Sequence, residues 1–212
     1  MALRDTDVEP RGSSLKNRRV VLGVTGGIAA VETVRLARAL RREGADLLVI
    51  MTPSAQRIIT PLAVRWASQA EVITDWDGDL TALNNADAVL VAPATRDVLA
   101  SHVHGLQHGP LMMALSVARS RTTPTLFAPS MHVDLANDPV TDDLVEAVRA
   151  QGARVFWGPE EEGKRKTPSV ERLVAETAHA VNRNRPNRRN VVVTLLSLIQ
   201  ISEPTRLRSI AY

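Results

Sequence analysis

The alternation of apolar and amphipathic segments predicts an α/β fold, a doubly wound parallel sheet in three layers with helices on both faces. Three observations carry this. The apolar runs at 20–24, 46–51 and 86–92 are near-continuous, as expected of strands buried on both faces. The segments between them place apolar residues three and four apart, the helical period. Each run also ends in a turn of small or hydroxylated residues: Thr25-Gly26-Gly27, Thr52-Pro53-Ser54 and Pro93-Ala94-Thr95. Ligands of such sheets sit beyond the carboxyl ends of the strands, where these turns lie.

The elements follow in order. The strand ending at Val24 passes through the glycine turn into a helix marked by Val31, Val34, Leu36, Ala37 and Leu40, which Gly44 closes. After the strand at 46–51, Thr52 and Pro53 start a short helix by capping and by proline in the first turn. A helical piece at 61–68, a short strand at 71–74 and an acidic irregular loop at 75–85 come next. The strand at 86–92 turns at Pro93-Ala94-Thr95 into a helix over 97–104, and a second helix covers 110–119. A strand at 125–128, a helix at 138–150, a strand at 153–157, a charged loop at 160–166 and a helix at 169–182 complete the pattern. The expected architecture is Rossmann-like or flavodoxin-like.

Composition bounds the rest. The chain has 212 residues, 44% hydrophobic and 23% charged, enough for one domain with a real core. No apolar run approaches the roughly 20 residues a bilayer span needs, so no membrane association is expected. The polar residues 1–17 read as a disordered leader, 18–183 as the globular domain and 184–212 as a linker and tail. With no cysteine there is no disulfide, thiolate metal site or thiol nucleophile, and a cytoplasmic location follows by default. The net charge is +3, but Arg35, Arg38, Arg41 and Arg42 read as a solvated helix face. The cluster Arg183, Arg185, Arg188 and Arg189 reads as a linker, and aromatic residues are only 3%, so no nucleic-acid partner is expected.

The turn at Thr25-Gly26-Gly27 has two readings. A strand–turn–helix junction directs backbone N–H groups and the positive end of the helix dipole at an anion, and Thr25 adds a hydroxyl donor. Alternatively, the glycines only let helix and strand pack closely. His102, His104 and His108 suggest a metal, but positions i and i+2 of a helix face apart and no cysteine or matched carboxylate is near, so no metal site is expected.

The three turns, with Ala128-Pro129-Ser130-Met131-His132, resemble the flavoprotein family of homo-oligomeric flavin-containing cysteine decarboxylases. The likeness runs from about Arg19 to Asn182 and is greatest to archaeal-type members acting on 4′-phosphopantothenoylcysteine in coenzyme A biosynthesis. It implies FMN as cofactor, bound between subunits of a trimer or dodecamer. The cofactor would lie against Thr25, Gly26, Gly27, Ile28, Thr52, Ser54, Pro93, Ala94 and Thr95. A small phosphorylated substrate would meet Ser130, Met131, His132 and Lys164. The implied reaction is FMN-dependent decarboxylation, in which oxidation of the substrate thiol to a thioaldehyde creates the electron sink and reduced flavin then returns hydride.

The chain departs from the family pattern in several places. The family's catalytic histidine is missing before the third motif, and Asp79 stands in its place. Asp79 and His132 are therefore the candidate catalytic residues. Asp79 as an ordinary loop acid is the other reading, since a carboxylate with an ordinary pKa near 4 is a weak base. Arg96-Asp97-Val98 replaces Ala-Asn-Thr. Arg96 either pairs with a phosphate or a substrate acid or is a solvated helix-start arginine, and Asp97 complements the helix dipole. The loop Glu160-Glu161-Glu162-Gly163-Lys164-Arg165-Lys166 is either a mobile charged lid over a phosphate or an exposed salt-bridged turn. The residues from Asn190 to Thr194 look like the first strand of a following nucleotide-binding half. Leu195 to Tyr212 contain no glycine and read as foreign or frame-shifted sequence on a truncated gene. Two other functions compete: an FMN-binding regulatory or assembly subunit without decarboxylase activity, and a flavin prenyltransferase.

Overall fold

A computed structural model describes residues 4–75 and 85–183. Met1–Asn182 form one compact unit. Strands β1 (Arg18–Val24), β2 (Ala45–Met51), β3 (Glu71–Ile73), β4 (Ala88–Ala94), β5 (Thr125–Pro129) and β7 (Arg154–Val155) make a six-stranded sheet in the order β3-β2-β1-β4-β5-β7. Every pairing is parallel. This is the Rossmann 3-2-1-4-5-6 order, with the reversal at β1 and β4, and it decides between the two architectures the sequence left open.

Side chains alternate across the sheet and build two cores. One face carries Val20, Leu22, Val24, Val49, Met51 and Leu90 against α1 (Thr33–Arg42), α3 (Pro61–Ser68) and α8 (Val170–Asn182). The other carries Val21, Leu48, Ile50, Val89, Val91 and Phe127 against α4 (Arg96–His104), α5 (Pro110–Ser120) and α7 (Pro139–Ala150). Because both faces are covered, the strands need apolar residues at every position, which explains the continuous runs. Among the described residues no helix is long and apolar enough to cross a membrane.

Several expectations are corrected. The glycine turn does not enter an α-helix directly; a 3-10 turn at Ile28–Glu32 intervenes and α1 begins at Thr33. The third apolar strand starts and ends two residues later than expected, so Pro93 and Ala94 belong to β4. The charged loop at 160–166 contains β8 (Glu160–Glu161) and β9 (Lys164–Arg165), which pair antiparallel with each other, and β9 also pairs with β6 (Met131–His132). Its turn holds Glu162 and Gly163 at positive φ, 53° and 68°. Two-residue strands lack the period by which a strand is recognised. A short helix, α6 (Val133–Ala136), follows β6.

In place of a disordered leader, residues 4–17 are bonded to the end of α1. The Arg11 and Leu15 N–H groups donate to the carbonyls of Arg42 and Glu43, each at 2.9 Å. The Leu15 side chain is fully buried in the core. The Arg38 and Arg41 guanidiniums donate to the carbonyls of Asp7 and Thr6. The tail at 184–212 lies outside the described residues.

One buried polar group sets a pH dependence. His102, at the end of α4, is 2% exposed, with its ring 5.0 Å from that of Phe127. Arg119 donates to its carbonyl at 2.6 Å and lies 3.2 Å from Nδ1. Burial first, then the Arg119 charge, lowers its pKa from 6.5 to about 4. The unfolded chain therefore binds a proton at this residue near pH 6.5 that the folded chain refuses until about pH 4. The stabilisation is whole above pH 6.5 and is lost as pH falls toward 4. Denaturant unfolding at pH 7 and pH 4.5 should show about 1–2 kcal/mol of acid destabilisation from this residue, absent in His102→Gln.

Candidate functional site

The order reversal opens a crevice beyond the carboxyl ends of β1, β2 and β4. Thr25, one residue past β1 and 1% exposed, closes its floor. Its hydroxyl donates to the Pro93 carbonyl at 2.8 Å and accepts from the Thr95 N–H at 3.1 Å. The donor expected to face an anion is thus committed to joining β1 to β4. On the other side, the Thr52 N–H donates to the Val24 carbonyl at 3.0 Å.

Above this floor lies a cavity of about 380 Å³ lined by Thr25, Gly26, Thr52, Ser54, Thr95 and Asp97. Thr52 Oγ1 caps α2 (Pro53–Gln56) by accepting from the Ala55 N–H, and Thr95 Oγ1 caps α4 by accepting from the Val98 N–H. Each hydroxyl proton remains available to a ligand. The helix starts bordering the cavity are those of α2 and α4, while α1 begins beyond the 3-10 turn. Hydroxyl donors at helix starts suit an anion such as a phosphate. Asp97 and His108 also line the cavity, and the sequence reading gave neither a role there. Asp97 was legible in principle, because the first helical turn after a strand-end motif lies on the crevice.

The two glycines differ. An added Cβ at Gly26 would lie 2.4 Å from Ser54 Cβ, so close packing demands glycine there. At Gly27 it would lie 3.6 Å from Pro93 and 3.8 Å from the Ser130 carbonyl oxygen, ordinary contact. The packing reading therefore accounts for Gly26 and leaves Gly27 unexplained.

A second cavity, about 410 Å³, has Pro93, Ile28, Ser130, Lys164 and Lys166 among its walls. Lys166 pairs with Glu161 at 2.7 Å and Glu162 at 3.5 Å, and its pKa is raised first by the Glu161 hydrogen bond. Arg165 lies over the Trp157 ring at 5.1 Å. Lys164 has no ion pair among the described residues, which leaves it as the hairpin's available cation.

Other candidate residues are placed elsewhere. Ala94 is fully buried in β4, where its carbonyl accepts from the Ser130 N–H. Met131 and His132 form β6 and line neither cavity. His132 is half-exposed and caps α6, its Nδ1 accepting from the Asp134 N–H at 3.3 Å. Its ring is fixed by a local turn, which the spacing of the motif could not show. Asp79 lies outside the described residues. Arg96 is paired with Asp138 at 2.5 Å, so neither of its two readings holds: its charge is met by an acid of the protein itself. Asp138 also caps α7; the Val140 N–H first, and Arg96 next, hold its carboxyl below the ordinary value. No group of three metal-ligating side chains occurs among the described residues.

Comparison with known proteins follows from this geometry. A model of the flavoprotein family matches residues 9–182. The coenzyme A biosynthesis bifunctional protein CoaBC of Thermococcus kodakarensis is 30% identical over 203 residues, 92% of this chain and 50% of that protein. The chain thus spans about half the length of this relative. The FMN-dependent cysteine decarboxylase SpaF superposes with a TM-score of 0.70 at 22% identity, covering 79% of this chain and 97% of that one. A PPC decarboxylase mutant complexed with pantothenoylaminoethenethiol superposes with a TM-score of 0.68 at 20% identity, covering 76% and 96%. These likenesses show the fold.

Single alanines separate packing from ligand binding at the turn. Gly26→Ala should lower stability by about 1–3 kcal/mol in denaturant unfolding, because the Ser54 backbone must move. Gly27→Ala should change stability by less than about 1 kcal/mol, so any loss of ligand affinity in that variant reads the site itself.

Proposed function

The chain belongs to the flavoprotein family, and from that premise we propose that it binds FMN and decarboxylates 4′-phosphopantothenoylcysteine. The observation that carries this reading is the convergence of Gly26, Thr52, Ser54 and Thr95 on one cavity at the order reversal, with a second cavity across Pro93. The donor set fits an FMN phosphate. Thr52 and Thr95 each keep a hydroxyl proton after capping, and Ser54 stands against Gly26, where no side chain intrudes. The names of the relatives agree: one is a coenzyme A biosynthesis protein and the structural neighbours are cysteine or PPC decarboxylases.

When bound, FMN supplies the two-electron chemistry that lets the substrate thiol become an electron sink for loss of the adjacent carboxylate. The protein's part is orientation and charge. Thr52, Ser54 and Thr95 would hold the cofactor phosphate. Ser130 and Lys164 receive the substrate carboxylate in the second cavity, where the ammonium is a point charge with no carboxylate of its own. Asp79 stands as the candidate proton acceptor. Ile28 and Val31, 67% and 51% exposed, line the second cavity. Apolar side chains left open beside a ligand site suit cover by a second copy, in keeping with a homotrimer that shares its cofactor between subunits.

A second reading has its own support. No histidine occurs before His102, so a general base of ordinary pKa near neutrality is missing from the segment preceding β4. An FMN-binding subunit without turnover is the alternative.

Incubation of FMN-loaded protein with 4′-phosphopantothenoylcysteine should release carbon dioxide and the aminothiol product, followed by mass spectrometry. A yellow protein with no product would discard the decarboxylase and leave the binding subunit. Asp79→Asn should lower kcat by about 100-fold or more with FMN content unchanged; unaltered turnover would remove Asp79 from the reaction.

A further inference from the structure

The cavity beside Lys164 does not close at α1. Arg35, Val170 and Glu171 line both it and a larger groove, about 780 Å³, between α1 and α8. The groove has an apolar floor from Val34, Ala39, Val174 and Ala178. Along one edge Arg35, Arg38 and Arg42 follow at i, i+3 and i+7, on one face of α1, and Arg35 to Arg42 spans about 10 Å of helix axis. Arg11 reaches the far end because its backbone N–H is bonded to the Arg42 carbonyl.

Four guanidiniums therefore face two carboxylates, Glu43 and Glu171, in this lining. Two of the four are engaged. Arg35 pairs with Glu32 at 3.0 Å, and Arg38 donates to the Asp7 carbonyl while lying over the Trp66 ring. Glu43 is taken by the Ser14 hydroxyl at 2.8 Å. Arg11 and Arg42 have no ion pair among the described residues. With Glu43 beside them, they give a net positive charge to the far end of a groove that begins at the candidate reaction cavity.

We propose that this groove receives the distal phosphate monoester of an elongated substrate whose reacting end lies beside Ser130 and Lys164. The identity of that substrate rests on the decarboxylase reading; the anion-receiving role of Arg11 and Arg42 rests on the groove. The planar guanidinium matches phosphate oxygens two at a time, and the apolar floor carries the connecting chain. Phosphate recognition is thereby split, with hydroxyls and helix starts serving the cofactor and arginines serving the substrate.

The test compares 4′-phosphopantothenoylcysteine with pantothenoylcysteine, which differ only in the phosphate, by calorimetry on the FMN-loaded full chain. Wild type should bind the phosphorylated compound about 10- to 100-fold more tightly. Arg11→Ala/Arg42→Ala should erase that preference while leaving affinity for pantothenoylcysteine, FMN content and melting temperature unchanged. The single variant Arg42→Gln, read the same way, covers the case in which the double variant fails to fold. No preference in wild type, or a preference that survives Arg42→Gln and the double variant, overturns the proposal. Carbon dioxide release without any preference would discard the groove and keep the reaction. A preference abolished by these substitutions, with no carbon dioxide released, would keep the groove and discard the reaction.

Discussion

The crevice depends on one buried hydroxyl. Thr25 Oγ1 is held between the Pro93 carbonyl and the Thr95 N–H, and so fixes the end of β1 to the end of β4 where the strand order reverses. The bond to Pro93 is buried and that from Thr95 partly so, and leaving a buried partner unsatisfied would cost about 1–3 kcal/mol. Their consequence is geometric. Held by its N–H, Thr95 stands at the start of α4, which its Oγ1 caps, beside the cavity. Because Thr25 takes the Pro93 carbonyl, Pro93 stands as a wall of the second cavity rather than of the first. A residue that touches no ligand thereby sets the position of those that would.

On the proposed reading, cofactor and substrate are divided between these two cavities. Hydroxyls and helix starts gather on one side, and the lysine of the β8–β9 hairpin and the arginines of α1 on the other. The hairpin is tied to β6 by backbone pairing and to Val133 by the Gly163 carbonyl, so Lys164 is carried on a braced element. Neutral donors suit a cofactor that stays bound, since they recognise an anion without a long-range field. Exposed cations suit a charged substrate that must arrive and leave.

The sheet was legible because burial on both faces leaves an unmistakable run of apolar residues, and α3 stands where a helical piece at 61–68 was expected. The three strand-end turns were legible for the same reason: each follows such a run. What escaped is of two kinds. β6, β8 and β9 are two residues each, too short to show a period, and β8 and β9 are charged in composition. The rest were relations across the chain. The partners of Thr25 lie 68 and 70 residues away, Arg96 meets Asp138 across 42, and Leu15 is one of a few scattered apolar residues in a mostly polar leader. No local pattern reports that a hydroxyl is already spent, that an arginine has found an acid, or that a leader has an anchor.

The central claim is that the crevice at the order reversal is built for a flavin phosphate. Fluorescence titration of the apo-protein with FMN and with riboflavin, which lacks only the phosphate, tests it most directly. The account predicts that FMN binds about 100-fold more tightly and that Thr95→Val narrows the gap at least about 10-fold, as expected for hydrogen bonds to a charged group. Equal affinity for the two flavins, or a gap indifferent to Thr95→Val, would contradict it.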